Sequence, residues 1–389
     1  MSSPVLLPGS TIGVLGGGQL GRMLSLAARR MGYRIVSWVG GSDDGPSELA
    51  DVMLEEPFDS EEGLTRFLAV SDVATVEFEN IPKPLLETIA QQLPLHPGIQ
   101  AITIGQHRER EKNFLSGNDI PCADYQVIDS AASLQEALSK LPERGGILKT
   151  AEFGYDGKGQ LPLQRNSDAA SVWAEFDAPR AVLEEKIDLS AELSVLVVRG
   201  IDGSTVTYDP AENIHRDHIL DVSIVPGRFD SSLLEEARSI ALHVAEALEY
   251  VGILAVEYFV SHDGRLLVNE IAPRPHNSGH HTIDACETSQ FEQQLRAICG
   301  LPLGSPDLMR PAVMLNLLGD VWVDNDDKPD WESVLALPGT TLHLYGKSGA
   351  RRGRKMGHLN VTAETIEDAI TIQDQCRAIL GLPELNLRH

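Results

Sequence analysis

Residues 253–272 read ILAVEYFVSHDGRLLVNEIA. Two apolar runs, 253–260 and 265–271, flank His262-Asp263-Gly264-Arg265, a sequence typical of a β-hairpin turn. A two-residue Asp263-Gly264 turn sets His262 against Arg265 and, counting back, Glu257 against Glu270. Facing carboxylates repel. Glu257 also lies within the apolar run Val256, Tyr258, Phe259, Val260, where an unpaired charge is costly unless a cation lies close by. Oxygen ligands of this kind suit Mg²⁺. The competing possibilities are a solvent-facing strand or a different register.

The chain continues through Asn269-Glu270-Ile271-Ala272-Pro273-Arg274-Pro275-His276-Asn277-Ser278-Gly279-His280-His281. Two prolines stiffen a segment rich in charged and polar side chains directly after the metal candidate, which points to catalysis. Zinc binding by its histidines is the weaker alternative. Upstream, Lys149 leads into Gly154-Tyr155-Asp156-Gly157-Lys158-Gly159-Gln160, a cationic glycine-rich loop after a strand. Such a loop is able to close over a polyphosphate, although GxxxxGK[ST] is absent. Glu184-Glu185-Lys186-Ile187, with Glu192 beyond it, offers backbone groups to an adenine and a carboxylate to a ribose. An ordinary exposed strand edge explains that composition equally well.

The first ~100 residues alternate in β/α fashion. Strands are expected at Thr11–Leu15, Arg34–Val39 and Val73–Phe78, and helices at 20–31, 61–69 and 83–91. A parallel sheet follows. Gly16-Gly17-Gly18-Gln19-Leu20-Gly21 satisfies GxGxxG, but no acidic residue ends the second strand before Asp43. That weakens a dinucleotide site and favours a phosphate or sugar of a small substrate. The second region is expected to open with a polar helix at 107–116. Strands near 146–150, 181–187 and 192–199 and a helix at 230–248 should follow. The last ~80 residues suggest a strand-rich unit closed by a helix at 364–380. The expected domains are 1–106 (α/β), 107–305 and 306–389 (small, β-rich).

With 389 residues, two or three cores are expected. A formal charge of −25 argues against nucleic acid as a main partner. Positive charge is nonetheless concentrated in Lys347, Arg351, Arg352, Arg354 and Lys355, within a stretch from Ser333 to Ala363 that contains no Asp or Glu. A solvated basic loop is the plain interpretation; a focused anion site fits better against so acidic a background. Four scattered cysteines, with no CxxC pair, argue against zinc and a disulfide framework. No apolar run approaches the ~20 residues of a membrane span, and neither a signal peptide nor a membrane partner is expected. A reducing cytoplasm is the simplest location.

Six motifs occur in order along nearly the whole chain: GGGQLGRM (16–23), GYDGKGQ (154–160), EEKI (184–187), ENIH (212–215), NEIAPRPHNSGHHT (269–282) and GKSGARRGRKMGHL (346–359). Together they resemble the ATP-grasp ligases, and within them the 5-(carboxyamino)imidazole ribonucleotide synthases. The resemblance implies an α/β and α+β molecule of ATP-grasp architecture, with an N-terminal parallel-sheet domain and a small C-terminal strand-rich domain. It implies ATP contacts at Arg108, Lys149, Gly154, Tyr155, Asp156, Gly157, Lys158, Gly159, Gln160, Glu184, Glu185, Lys186, Ile187, Glu192, His215, Asn269 and Glu270. Mg²⁺ ligands at Glu257 and Glu270 agree with the hairpin count. Aminoimidazole ribonucleotide would lie near Gly18, Gln19, Leu20, Glu79, Tyr155, Arg274, Lys347 and Arg354. Asp156, Lys158, Arg274, His276, Asn277 and Lys347 would surround bicarbonate and the transferred carboxyl group. A homodimer is likewise implied.

Two departures stand out. Gln106-His107-Arg108 replaces the family's usual QDR, and Ala272 stands where the wider superfamily has Asn. The rivals are an ATP-grasp ligase using another acid, a nicotinamide-dependent oxidoreductase built on the GxGxxG turn, and a catalytically silent binding protein.

Overall fold

The computed structural model describes residues 5–41, 49–152 and 159–385. Their strands form three sheets. The first contains β1 (Thr11–Leu15), β2 (Arg34–Trp38), β3 (Val52–Leu54) and β4 (Val73–Val76), all parallel, in the order β3-β2-β1-β4. Every residue of β1 and β4 is buried, as in parallel sheets covered on both faces by their crossover helices. Those helices, Gln19–Arg30, Glu61–Val70 and Lys83–Ala90, fall where the periodicity expects them. The three-residue β3 is too short to leave a periodic signal.

The second sheet is antiparallel and contains β5 (Tyr125–Ile128), β6 (Gly146–Thr150), β7 (Gln160–Leu163) and β8 (Ala181–Glu185), ordered β5-β8-β6-β7. The helices Ala131–Lys140 and Ala169–Phe176 pack on it through Leu134, Leu138 and Trp173.

The third sheet contains β9 (Leu189–Arg199), β10 (Thr205–Thr207), β11 (Ala211–Arg216), β12 (Ile219–Val225), β13 (Gly252–Ser261), β14 (Leu266–Ala272), β15 (Ala312–Leu318), β16 (Thr340–Leu344) and β17 (Lys355–Thr362). Its order is β14-β13-β9-β11-β12-β15-β17-β16, with β10 on β9. The helix Ser231–Ala247 covers one end, its small residues Ala237, Ala241 and Ala245 packing among Leu193, Val195, Leu254 and Tyr258. The C-terminal strands extend this sheet through β12 and β15. The helix Ile366–Ile379 closes them, with Arg377 pairing Asp221 of β12 in a buried 3.1 Å contact. Sequence alone left open whether this end forms a barrel or an appendage; it is a continuation of the large sheet.

The N-terminal unit docks on the large sheet through the helix Gln290–Ile298. Phe291, Leu295 and Ile298 share a core with Ile12, Leu24 and Ile35. Gln294 bridges the two sheets with one amide, donating to Thr75 Oγ1 (2.9 Å) and accepting from the Ile253 N–H (2.7 Å).

The hairpin corrects one sequence expectation. Ser261, not His262, stands against Arg265, since the Ser261 N–H donates to the Arg265 carbonyl. The connection is thus a three-residue loop, His262-Asp263-Gly264, with Gly264 in the left-handed region (φ +83°). Val260 pairs Leu266 and Tyr258 pairs Val268, then a bulge shifts the register and Glu257 pairs Glu270. The predicted pairing is present, but an extra loop residue and a compensating bulge at Asn269 produce it.

Candidate active site

The cleft between the sheets has a volume of about 330 Å³. Its wall includes Arg108, Lys149, Gln160, Glu192, His215, Glu257, Asn269, Glu270, Arg274, His276 and Asn277, together with Glu79. Twelve residues singled out from separate parts of the sequence therefore meet in one place.

The carboxylate pair lies at its centre. Burial, then the charge of Glu270, push the Glu257 carboxyl up to about 8, with the His215 side chain opposing. His276 Nε2 is 3.1 Å from Glu257, and burial holds this imidazole neutral, well below its ordinary range. The Ser278 N–H donates to His276 Nδ1 (3.3 Å), so the ring proton sits on Nε2 and points at Glu257. Arg108 lies 3.9 Å from Glu270. In the same cleft wall, both polar atoms of the Asn277 amide are buried without a hydrogen-bond partner. The largely buried Glu257, the more exposed Glu270 and an open amide oxygen form an all-oxygen donor set that fits Mg²⁺.

The cationic wall depends on a buried network. Lys149 Nζ is 2.9 Å from Glu184, and Lys112 Nζ is 3.6 Å from the same carboxylate. Burial alone would raise the Glu184 pKa; the two ammonium groups overcome it and hold the group down at about 2. The Glu184 side chain is thus enclosed between lysines, and of the carboxylates of this segment Glu192 lines the cleft. Burial, reinforced by Arg108 and Lys112, lowers the Lys149 pKa against the pull of Glu184. Glu185, Lys186 and Ile187 follow at the end of β8, outside the cleft wall, with Glu185 paired to Arg144 at 3.1 Å and the Lys186 N–H bound to the Gly145 carbonyl. Glu192 and His215 pair at 2.6 Å across β9 and β11, where Glu192 outweighs the effect of burial and raises the imidazole pKa.

At the other end Arg274 Nε pairs Glu79 at 2.6 Å. Lys347 Nζ donates to Gln19 Oε1 (2.6 Å) and to the Lys355 carbonyl (3.1 Å), joining residues 328 positions apart. Lys355 reaches the cleft wall. Arg354 donates to the Ser348 and Gly349 carbonyls, and Arg352 turns away to Asp320 and Asp324. Part of the basic run is therefore bound locally, and Lys355 brings its charge to the cleft wall.

The glycine-rich turn has an unexpected occupant. Glu77, buried at the end of β4, accepts from the N–H groups of Gly18 and Gly21, the latter at 2.6 Å. Burial raises its pKa against those hydrogen bonds. A carboxylate of the chain itself thus caps the helix Gln19–Arg30 where a phosphate was expected. A side chain on Gly16 (φ +117°) or Gly18 would collide with it. The turn is closed to a dinucleotide, and the Gly18 N–H is committed. Leu20 faces the N-terminal core.

Glu77, Glu111 and Lys112 escaped the sequence analysis. Glu111 lines the cleft, accepts from the Ile271 N–H (2.7 Å), and is pushed by burial, then by Glu270 against Lys112, up to about 7. In a helix as polar as Arg108–Gly117, no local pattern marks Glu111 and Lys112 as the residues that turn inward. Gly154, Tyr155, Asp156, Gly157 and Lys158 lie outside the described residues; Gly159 follows them, its carbonyl accepting from the Thr150 N–H (2.9 Å).

Known proteins give the same picture. Residues 9–106 match the ribonucleotide synthetase preATP-grasp domain, 113–291 the ATP-grasp domain, and 312–371 the phosphoribosylaminoimidazole carboxylase C-terminal domain. The chain is 40% identical over 359 residues to the N5-carboxyaminoimidazole ribonucleotide synthase of Bacillus subtilis, covering 92% of this chain and 93% of that one. A solved N5-carboxyaminoimidazole ribonucleotide synthetase in complex with ADP superimposes with a TM-score of 0.90 at 41% identity, over 97% of this chain and 99% of that one. The Aspergillus clavatus enzyme, solved with ADP and 5-aminoimidazole ribonucleotide, gives 0.84 at 28% identity, over 98% of this chain and 100% of that one. With a cleft that gathers the paired carboxylates, the buried lysine and the Arg274 corner, the chain belongs to the N5-carboxyaminoimidazole ribonucleotide synthase family of ATP-grasp ligases.

Proposed function

We propose that this chain catalyses ATP-dependent carboxylation of 5-aminoimidazole ribonucleotide with bicarbonate, giving N5-carboxyaminoimidazole ribonucleotide, ADP and phosphate in purine biosynthesis. The observation that carries it is the convergence, in one cleft, of the Glu257–Glu270 pair, the cations Arg108 and Lys149, and the Arg274–Glu79 pair.

Arg108 and Lys149 would hold the ATP phosphates, while Glu257 and Glu270, with Asn277 in the same cleft, would hold Mg²⁺. When bound, the metal offsets charge on the phosphates during transfer. A bicarbonate oxygen attacks the γ-phosphorus, ADP leaves, and carboxyphosphate forms. It splits into CO₂ and phosphate. The exocyclic amine of the ribonucleotide then bonds to the CO₂ carbon and passes its proton to the phosphate just released. Arg274 and Lys347 hold the anionic carboxyl species. Neutral His276 directs its Nε2 proton at Glu257 and orients that carboxyl. Gln19, Glu79 and Arg354 hold the ribonucleotide, while Asp156 and Lys158 position the amine and carboxyl group. Homodimer assembly and action in the cytoplasm belong to the same proposal.

The test is ADP release with Mg-ATP and the ribonucleotide, with and without bicarbonate in degassed buffer. Release that needs both compounds supports the reaction. Release driven by formate or glycine instead would identify another acid as the activated substrate.

A further inference from the structure

We propose that Lys112 is a positioning residue that ties the ATP-binding lysine to the metal-binding carboxylate. The proposal rests on the cleft being a MgATP site. Lys112 lies one helical turn after Arg108 on the helix Arg108–Gly117, on the same side but deeper. Its side chain is 0% exposed. The ammonium donates to the Asn269 carbonyl at 2.9 Å and stands 3.6 Å from Glu184, which in turn holds Lys149 at 2.9 Å.

Asn269 is the bulged residue of β14. A bulge leaves its extra residue outside the strand ladder, and here the ammonium supplies a partner for that carbonyl. Without the bulge, continuing the Tyr258–Val268 register would set Glu257 against Asn269 and move Glu270 out of the pair. One buried cation therefore fixes both the bulge that presents Glu270 and the carboxylate that orients Lys149. A neutral side chain cannot balance Glu184 as well.

The test compares Lys112→Met with the double variant Lys112→Met/Glu184→Gln, which leaves no unbalanced buried carboxylate if the single variant fails to fold. ADP binding with and without Mg²⁺, and ribonucleotide binding, are measured by calorimetry. We expect the Mg²⁺ concentration for half-maximal ADP binding to rise about tenfold or more, the range for groups that orient metal ligands, with ribonucleotide affinity within about twofold. Unchanged Mg²⁺ dependence in the folded variants overturns the proposal. Equal weakening of both ligands with a lowered melting temperature also overturns it, since that marks a merely structural lysine. Because binding is read without turnover, a chain that binds MgADP yet fails to carboxylate would refute the carboxylase function and leave this test standing.

Discussion

Glu257 and Glu270 face each other across β13 and β14 only because a bulge at Asn269 offsets the three-residue loop at the hairpin tip. A largely buried Glu257 brought against the more exposed Glu270 opposes folding and favours a cation. Glu270→Ala should abolish turnover, by a factor of about a hundred or more, while relieving this repulsion. The ligand-free variant is therefore expected to melt no lower than the parent, yet to lose the stabilisation that MgADP confers. Thermal denaturation with and without MgADP checks both halves. Parent-like activity in this variant would remove the metal assignment.

The Arg274–Glu79 pair separates the two ends of the cleft. Arg274→Met leaves Glu79 unpaired in a largely buried position, at a cost of about 3–5 kcal/mol. Arg274→Lys keeps the charge but loses the planar fork. Its KM for the ribonucleotide should rise about tenfold, with the KM for ATP nearly constant. Steady-state kinetics with each substrate varied in turn measures the split.

Glu77 caps the glycine-rich turn, and Glu77→Ala strips Gly18 and Gly21 of their acceptor. A loss of about 1–3 kcal/mol is expected by denaturant titration. NADH fluorescence should show no binding to the parent chain, because Glu77 fills the anion position. Saturable NADH binding would contradict that.

Acid should destabilise the ligand-free protein below pH 6.5. Burial lowers the pKa values of His96, His107, His276, His280, His281 and His358, with His96 and His281 brought to about 4. The unfolded chain takes up protons on these groups from about pH 6.5 downward, while the folded chain waits for lower pH, so stability falls with pH in that window. Glu77, Glu111 and Glu257 work the other way, because their raised values let the folded chain hold protons that the unfolded one has shed above pH 4.5. His215, raised by Glu192, joins the three carboxylates, and the six lowered histidines outnumber these four groups, so the net effect is loss, about 1.4 kcal/mol per pH unit for each net proton. A melting temperature that stays flat from pH 6.5 to 5 would show that these histidines are not held neutral.

Much of the site was legible because it lies in local patterns. Glycine-rich turns after strands, a polar residue inside an apolar run, and basic residues clustered in an acidic chain are all visible without coordinates. The predicted strands β1, β2, β4, β6, β8, β13 and β14 carry strong periodicity or turn punctuation. Glu77 was not legible, since nothing local marks a carboxylate that caps a helix 59 residues earlier. Lys112 was hidden likewise, its carbonyl partner lying 157 residues away. The enclosure of Glu184 was not legible either, because its two lysines come from a helix and from β6.

The sequence by itself determined the class of the protein: the β/α opening, the hairpin with its two glutamates, the glycine-rich segments and their order, which together mark an ATP-grasp ligase. These depend on spacing and side-chain chemistry within a few residues of one another. The tertiary structure alone decided which charges face ligand and which are spent inside the protein. Glu77 and Glu184 became internal partners, Arg352 turned to Asp320 and Asp324, and the hairpin register depended on a bulge fixed from a distant helix. Burial and long-range pairing set those outcomes, because a charge removed from water must find its partner wherever the packed fold provides one.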